Sequence, residues 1–506
     1  MPIEPTITYE SQYDLPPGWV WIPLGHLGNW AAGCGFPKTF QGETGGEFLF
    51  CKVSDMNLPG NEVEIHTTVN TIDAAVMQKI RARPNPIGTV IFPKIGGAIA
   101  THKRRLVIKP TIIDNNCSGI RPIGLTDSRW LLLLLRSIDL TLYQSGTSVP
   151  AVSQSSIDPI RIGLPPLAEQ RRIVEKVDQL LGLCDELAAR QAAQREKRQR
   201  LVGATLDRLV STRNPAEFPT HAHRLRNQFD QLFDTPTTIP QLRQTILQLA
   251  VQGQLVPQDP NDEPAIRFLL SIDDDRRGDL SVKLLAGEAS DASHNNRFSI
   301  PASWDWAWIG QLGETQTGTT PKSGDHEAFG SDYPFIKPAD ILRDRVVYDN
   351  VGLSRTGVEK YGRVATAGSV LMVCIGTIGK CNLITCDCSF NQQINSITPL
   401  PQVDSSLLLY FLQSPYFQTE AWQRSTSTTI SLLNKGNWES IPIPIPPLAE
   451  QKRIVTKVTE LLSLCDALEA KLTQAESAGT QLLSAAVHHL LNESSREGAK
   501  ARREKP

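Results

Sequence analysis

The sequence predicts an α+β molecule: two mixed α/β domains related by pseudo-twofold symmetry and separated by a long antiparallel two-helix coiled coil. Three observations lead there. The phrase PPLAEQRRIV from Pro165 returns as PPLAEQKRIV from Pro446, 281 positions on, and 17 of the 23 aligned positions 165–187 and 446–468 are identical. Solenoid repeats run about 20 to 50 residues and come in threes or more, so two copies this far apart mark a duplicated half-molecule. A fainter likeness extends upstream: LPPGWVWIPLGHLG at 15–28 answers IPASWDWAWIGQLG at 300–313, FLFCKVSDM at 48–56 answers YPFIKPADI at 333–341, and GTVIFPKIGGAI at 88–99 answers GSVLMVCIGTIG at 368–379. Finally, each repeated phrase opens a heptad-like apolar rhythm.

The elements follow in order. In the first domain, 1–163, short β-branched runs such as TVIFPKI lie between Gly, Pro, Asn and Asp and read as strands; Trp130 to Arg136 is its best helix. Prolines 165 and 166 end the strand-like lead-in and suit a helix start, where a missing N–H would be unpaired anyway. The spacer 164–212 then places Ile173, Val177, Leu180, Cys184 and Leu187 at alternating steps of four and three. A helix from Leu167 to about Val210 would be roughly 65 Å long at 1.5 Å per residue, and its narrow apolar stripe needs a partner. The matching stripe of the second copy, from Ile454 through Val458, Leu461, Cys465, Leu468, Leu472 and Ala475 to Leu482, is the nearest candidate, which predicts a dumbbell.

A central helical region, 213–258, has no second copy. Leu242, Ile246, Leu249 and Ala250 share one helical face there, and Gly253 is placed to cap the end. Residues 259–298, rich in Asp, Ser, Gly and Asn, read as a linker or lightly packed connector with a short helix signal near Phe268 to Ile272. The second domain, 299–444, has its best helix at Ser405 to Gln413. The second spacer is 445–492, and 493–506 reads as a disordered tail.

Composition narrows the function. Nine irregularly spaced cysteines and no basic-then-apolar leader argue against a secreted disulfide framework and for a cytoplasmic protein. The longest apolar run, Trp130 to Leu135, is far shorter than the roughly 20 residues of a membrane span. A net charge of -2 means that any nucleic-acid site is local, and one local bias exists. No acidic residue lies between Asp73 and Asp114, while Lys79, Arg81, Arg83, Lys94, Lys103, Arg104, Arg105 and Lys109 do; a solvated positive face explains this as well as a binding site does. There is no phosphate loop, no dinucleotide fingerprint, no HExxH and no evident carboxylate pair. The pairs His221/His223 and His488/His489 read as surface residues. Cys381, Cys386 and Cys388 lack the second ligand pair of a zinc site. No catalytic residue, metal or cofactor is therefore assigned, and binding is the expected role: two divergent domains on a stiff spacer reading two separated targets.

The doubled PPLAEQ[RK]RIV-x-KV-x-x-LL, the lead-ins GTSVPAVS and STTISLLN, the LPPGW and IPASW domain openings, and LRQTILQLAVQGQLVPQ between the halves resemble the specificity subunit of type I restriction-modification systems. The resemblance spans nearly the whole chain. It implies a non-catalytic protein with two target-recognition domains, each reading one half of a split, asymmetric double-stranded DNA sequence. The helical repeats would act as a ruler and dock two methyltransferase subunits, through which translocating endonuclease subunits join. S-adenosylmethionine, ATP and magnesium would belong to those partners. Half-sites read from one face of B-DNA lie about one turn, roughly 34 to 36 Å, or a multiple apart. A coiled-coil scaffold that organises proteins without touching DNA is the alternative.

No base-contacting residue carries over from the family by motif, so candidates are chosen on chemistry: Arg and Lys suit guanine, Asn and Gln adenine. In the first domain Lys94 and the cluster Lys103, Arg104, Arg105 flank a Gly-rich turn. In the second, Lys380 adjoins the corresponding turn, with Arg363 upstream and Asn391, Gln392 and Gln393 as adenine readers. For methyltransferase docking the repeats offer Glu169, Gln170 and Arg172, with Glu450, Gln451 and Arg453. Helix capping and coil packing explain these six equally well.

Overall fold

The structure is a computed structural model of the 506-residue chain, and it describes residues 15–146, 149–212, 217–276, 298–427 and 430–503. The chain divides into two compact units, 1–192 with 495–506, and 193–494.

In the first unit the chain returns to its start before the spacer begins: Val20–Pro23 pairs antiparallel with Arg161–Leu164, Val20 facing Leu164. Between them lies a five-stranded sheet in the order Gly28–Ala32, Cys117–Pro122, Val90–Pro93, Arg105–Val107, Glu64–Ile65. A three-stranded sheet beside it runs Asn70–Ile72, Phe48–Cys51, Thr111–Ile113, its last pair parallel. The strand Val90–Pro93 is buried on both faces. Because successive side chains of a strand point to opposite faces, Val90 and Phe92 enter a core with Leu131 and Leu135 of helix Ser128–Ser137, while Ile91 enters another with Cys51, Met56 and Ile113. This continuous apolar run is why the sequence reads TVIF without alternation.

The second unit repeats the plan. Asp305–Trp308 pairs with Pro442–Ile445, Asp305 facing Ile445, in the register of the first copy. Its four-stranded sheet runs Gly313–Thr317, Ile394–Pro399, Val370–Val373, Cys381–Leu383, matching the first four strands of the five-stranded sheet. A parallel pair, Phe335–Ile336 with Cys388–Phe390, matches Phe48–Cys51 with Thr111–Ile113. Val370 and Met372 again face one core and Leu371 and Val373 another. Even the turn before this central strand is kept: Gly88 and Gly368 both adopt a left-handed φ, 90° and 88°, a conformation with little steric cost only for glycine.

The first long helix, Leu167–Ser211, has 45 residues, and the second is Leu448–Arg503. Their apolar stripes are treated differently. In the second helix Ile454, Val458 and Cys465 are buried, and Leu461, Leu468 and Leu472 pack against the same core. That core also holds Val202 and Leu206 from the last turns of the first helix, together with Leu242, Ile246 and Ala250 of the central helix Ile239–Val251. The central helix caps as expected, Gly253 having φ 69°. In the first helix Val174 is buried in the first domain's core, but Leu180, Leu183 and Leu187 are exposed.

Residues 259–298 were expected as a linker or lightly packed connector with a short helix signal near Phe268 to Ile272, and 277–297 of them lie outside the described residues. They contain a helix, Ala265–Arg276, whose Ala265, Phe268 and Leu269 are buried with the second domain; apolar residues at i, i+3 and i+4 suffice to anchor it. Of the expected tail 493–506, residues 493–503 continue the second long helix, and 504–506 lie outside the described residues. Among the described residues no helix is long and apolar enough to cross a membrane.

Candidate nucleic-acid interface

Each domain carries one rim built from the same three pieces. The first is the loop that leaves the central strand; the second is a short turn leading into the neighbouring strand; the third is the hairpin that precedes the repeat. In the first domain Lys94 N donates to Asn116 O (2.9 Å), Val152 N to Lys94 O (2.8 Å) and Gly96 N to Pro150 O (2.7 Å). In the second, Cys374 N donates to Gln393 O (2.8 Å), Leu433 N to Cys374 O (2.8 Å) and Gly376 N to Ser431 O (2.9 Å). Of the lead-ins GTSVPAVS and STTISLLN, residues 147–148 and 428–429 lie outside the described residues; the strand pairs Gln144–Ser145 with Ala151–Val152 and Thr426–Ser427 with Ser431–Leu432 tie this rim together.

The side chains on that shared frame differ. Where the first rim presents Lys94, the second has Cys374; where the second has Asn391, Gln392 and Gln393, the first has Asp114, Asn115 and Asn116. Both turns are braced alike, since Asn116 N donates to Asp114 Oδ1 and Gln393 N to Asn391 Oδ1, each at 3.1 Å. Asn115, Asn116 and Gln392 are exposed. The residues Asn115 and Asn116 were missed from the sequence, although IIDNNCSGI and SFNQQINSI occupy equivalent strands. Lys52 and Lys337 were missed too: each opens a turn in which its backbone N–H donates to a buried aspartate, Asp55 or Asp340, three residues on.

The sequence-selected candidates scatter. Lys94 lies half-buried on the first rim, with Lys103 half-buried farther along. Arg104 has 0% exposure: it donates to the carbonyls of Leu135 (3.2 Å) and Lys103 (3.0 Å), and its guanidinium lies over the Phe92 ring. Burial pulls its pKa down to about 10. Arg105 is engaged by the carbonyls of Met56 and Arg104, and burial lowers its pKa as well. Basic composition cannot distinguish such core arginines from surface ones. In the second domain Asn391 and Gln393 bond each other, and Gln392 accepts a hydrogen bond from Thr320. Lys380 adjoins the same rim, its amine donating to Pro338 O (2.8 Å) while Val373 N donates to its carbonyl. Arg363 is exposed just before the strand Val364–Ala365.

The repeat residues hold the chain together. Gln170 is completely buried; its Oε1 accepts from Asp127 N (2.7 Å), and its Nε2 donates to Leu125 O (2.8 Å) and Pro165 O (2.9 Å). Gln451 does the same in the second half, accepting from Asp404 N and donating to Gln402 O and Pro446 O. Asp127 and Asp404 are the N-caps of the two domain helices, so each glutamine clamps its long helix to its own domain. Glu450 is buried and accepts from Trp304 Nε1 (2.9 Å) and Gln258 Nε2 (2.6 Å). Its burial raises its pKa, against the lowering effect of those two donors. Arg453 pairs with Asp262 (3.2 Å). In the first half Glu169 is half-buried and Arg172 exposed.

With this geometry in hand, comparison with known proteins places the chain. The sequence profile of the family described as "Type I restriction modification DNA specificity domain" matches residues 16–196 and 301–476. The chain is 28% identical to the type I restriction enzyme EcoAI specificity subunit of Escherichia coli, over 65% of this chain and 58% of that protein, which is less than two thirds of the relative's length. It is 26% identical to the EcoEI specificity subunit of the same organism, over 96% of this chain and 84% of the relative. A solved structure from work on complex assembly and conformational transition of the type I R-M system matches with a TM-score of 0.51 at 21% identity, covering 93% of this chain and 96% of its own; that likeness shows the fold, two mixed α/β domains with the long helices of a coiled coil. Two profile matches on two copies of one fold establish that this chain belongs to the family of type I restriction-modification DNA specificity subunits.

Proposed function

We propose that the chain reads a bipartite, asymmetric DNA site, one half through each domain's rim, and carries out no chemistry itself. The observation behind this reading is the pair of rims: one backbone frame used twice, with side chains that differ at the exposed positions. A frame kept constant while its tip varies is what two readers of different bases require. Exposed Asn and Gln match the donor and acceptor pair of adenine, and Lys94 matches the acceptors of guanine. Backbone amides and the remaining lysines, Lys103 and Lys380 among them, would set register on phosphates. With a net charge of -2, most non-specific attraction to DNA would have to come from partner subunits.

Two methyltransferase subunits would dock along the helical repeats, with endonuclease and translocase subunits joining through them, and the complex would work in the cytoplasm. Of the six repeat residues selected for docking, Glu169 and Arg172 remain available to a partner, whereas Gln170 and Gln451 are engaged internally. The test is retention of DNA by the chain together with its methyltransferase at moderate salt. A target-bearing duplex should be held about a thousandfold more tightly than a scrambled one. Equal retention of the two would favour the protein scaffold that never reads DNA.

A further inference from the structure

Beside Lys94 the first rim opens into a cavity of about 310 Å3, at the lower end of the roughly 300 to 1,000 Å3 that small-molecule sites occupy. Three elements wall it: Trp30 and Ala32 belong to the strand Gly28–Ala32, Phe92 to the central strand, and Ile157 to a short helix, Gln154–Ile157. The rings of Trp30 and Phe92 stand nearly perpendicular, at 79° with centroids 6.3 Å apart, and form an aromatic corner. Ser118 and Gln154 add polar groups to the lining.

The corner is fixed in advance. Asp158 accepts from Trp30 Nε1 (2.6 Å) and from Gln154 Nε2 (3.2 Å), so the indole is tied to the end of the helix rather than free to fold into the space it borders. Lys94 is held on both sides through its backbone, its N–H on Asn116 and its carbonyl on Val152. Its ammonium has no hydrogen-bond or ion-pair partner among the described residues.

The second domain keeps the anchor and changes what it holds. Thr315 occupies the register of Trp30, facing Ile397 as Trp30 faces Ile120, and its Oγ1 donates to Glu439 as Trp30 donates to Asp158. Trp438, four residues after the helix N-cap Asn434, stands where Ile157 follows the N-cap Ser153, and it is completely buried in the core. Buried Cys374 replaces Lys94. The large ring therefore sits on the helix in one half and on the strand in the other, where an unpaired cation accompanies it.

We propose that the first domain's cavity receives one nucleobase swung out of the duplex, its ring against Trp30 and Phe92 and an acceptor atom of its edge on Lys94. The inference rests on the rim being the face that meets DNA. A base that leaves the helix loses its stacking neighbours, and aromatic side chains restore stacking whatever the base. Because the rings are already in place, little ordering accompanies the capture. The pocket adds to the rim's readout a preference for a base pair that opens readily.

Mispaired duplexes test this. The full-length chain with its methyltransferase is titrated with labelled duplexes carrying the sequence that the complex methylates, each base being exchanged in turn on one strand and then on the other. A mispaired base leaves the stack at lower cost, so the native chain should bind about tenfold more tightly when the partner of the everted base is exchanged, at one position of one half-site. Trp30→Ala should weaken binding of the fully paired target about tenfold and erase that gain, while Trp30→Phe, which keeps a ring, should retain most of both. Ala32→Trp, at an exposed residue of the lining, should fill the cavity and act like Trp30→Ala with thermal unfolding unchanged, so that loss of folding does not imitate loss of the pocket. Specific retention of the target without any tightening mispair, or with Trp30→Ala and Ala32→Trp binding as the native chain does, would overturn this inference and leave the reading of the rims intact. No preference of the native complex for its target over a scrambled duplex would overturn both.

Discussion

At Gln170 a single carboxamide satisfies three backbone groups, all within the first unit, and the same holds for Gln451. A buried donor or acceptor left without a partner costs about 1 to 3 kcal/mol. Gln170→Ala should therefore lower stability by about 2 to 4 kcal/mol in thermal or urea unfolding followed by circular dichroism, with Gln451→Ala equivalent; a loss below about 0.5 kcal/mol would mean the clamp is ornamental. The doubled phrase made these glutamines conspicuous in the sequence, but it could not separate packing from docking. That choice depends on Leu125, Asp127 and Gln402, which lie some 45 positions upstream and become neighbours only on folding. Arg104 shows the same limit from the other side. It sits in the most basic stretch of the chain, and its burial against Phe92 and the Leu135 carbonyl is set by strand register, which charge counting does not see.

Among the elements, the long helices were the most legible, because a strict four-three rhythm after a proline pair leaves few other conformations. The first was expected from Leu167 to about Val210 and runs Leu167–Ser211. What covers each stripe was not legible, since it depends on where the unrepeated central segment settles. The consequence is measurable with matched truncations. Ile454→Ala, at a side chain with 0% exposure, should cost about 2 to 5 kcal/mol. Leu187→Ala should stay within about 0.5 kcal/mol, as surface substitutions do. Similar losses in the two variants would show that the first stripe is covered in the isolated chain. The hairpins at 144–152 and 426–432 were recognised as phrases but not as elements, their strands being only two residues long. They lack the alternation by which strands announce themselves, and the rims were accordingly found only in the folded chain.

For the whole molecule, duplication was legible from the first repeated phrase, and strand order and register bear it out in both halves. The domains share strands, turns and clamps, yet they differ on the rims, which is the pattern of one scaffold adapted to two targets. Independence of the two readers is the central claim, and the rim bonds described above join Lys94 to Asn116 and Val152 within the first unit and Cys374 to Gln393 and Leu433 within the second. The most direct measurement is single-molecule methylation mapping of DNA modified by the assembled complex, made with the native chain and with one whose residues 1–160 are replaced by another recognition domain. The native complex should modify a split, asymmetric sequence with an unspecified gap, and the exchange should change one half while leaving the other untouched. A continuous or palindromic site, or a change in both halves on exchanging one domain, would contradict the account.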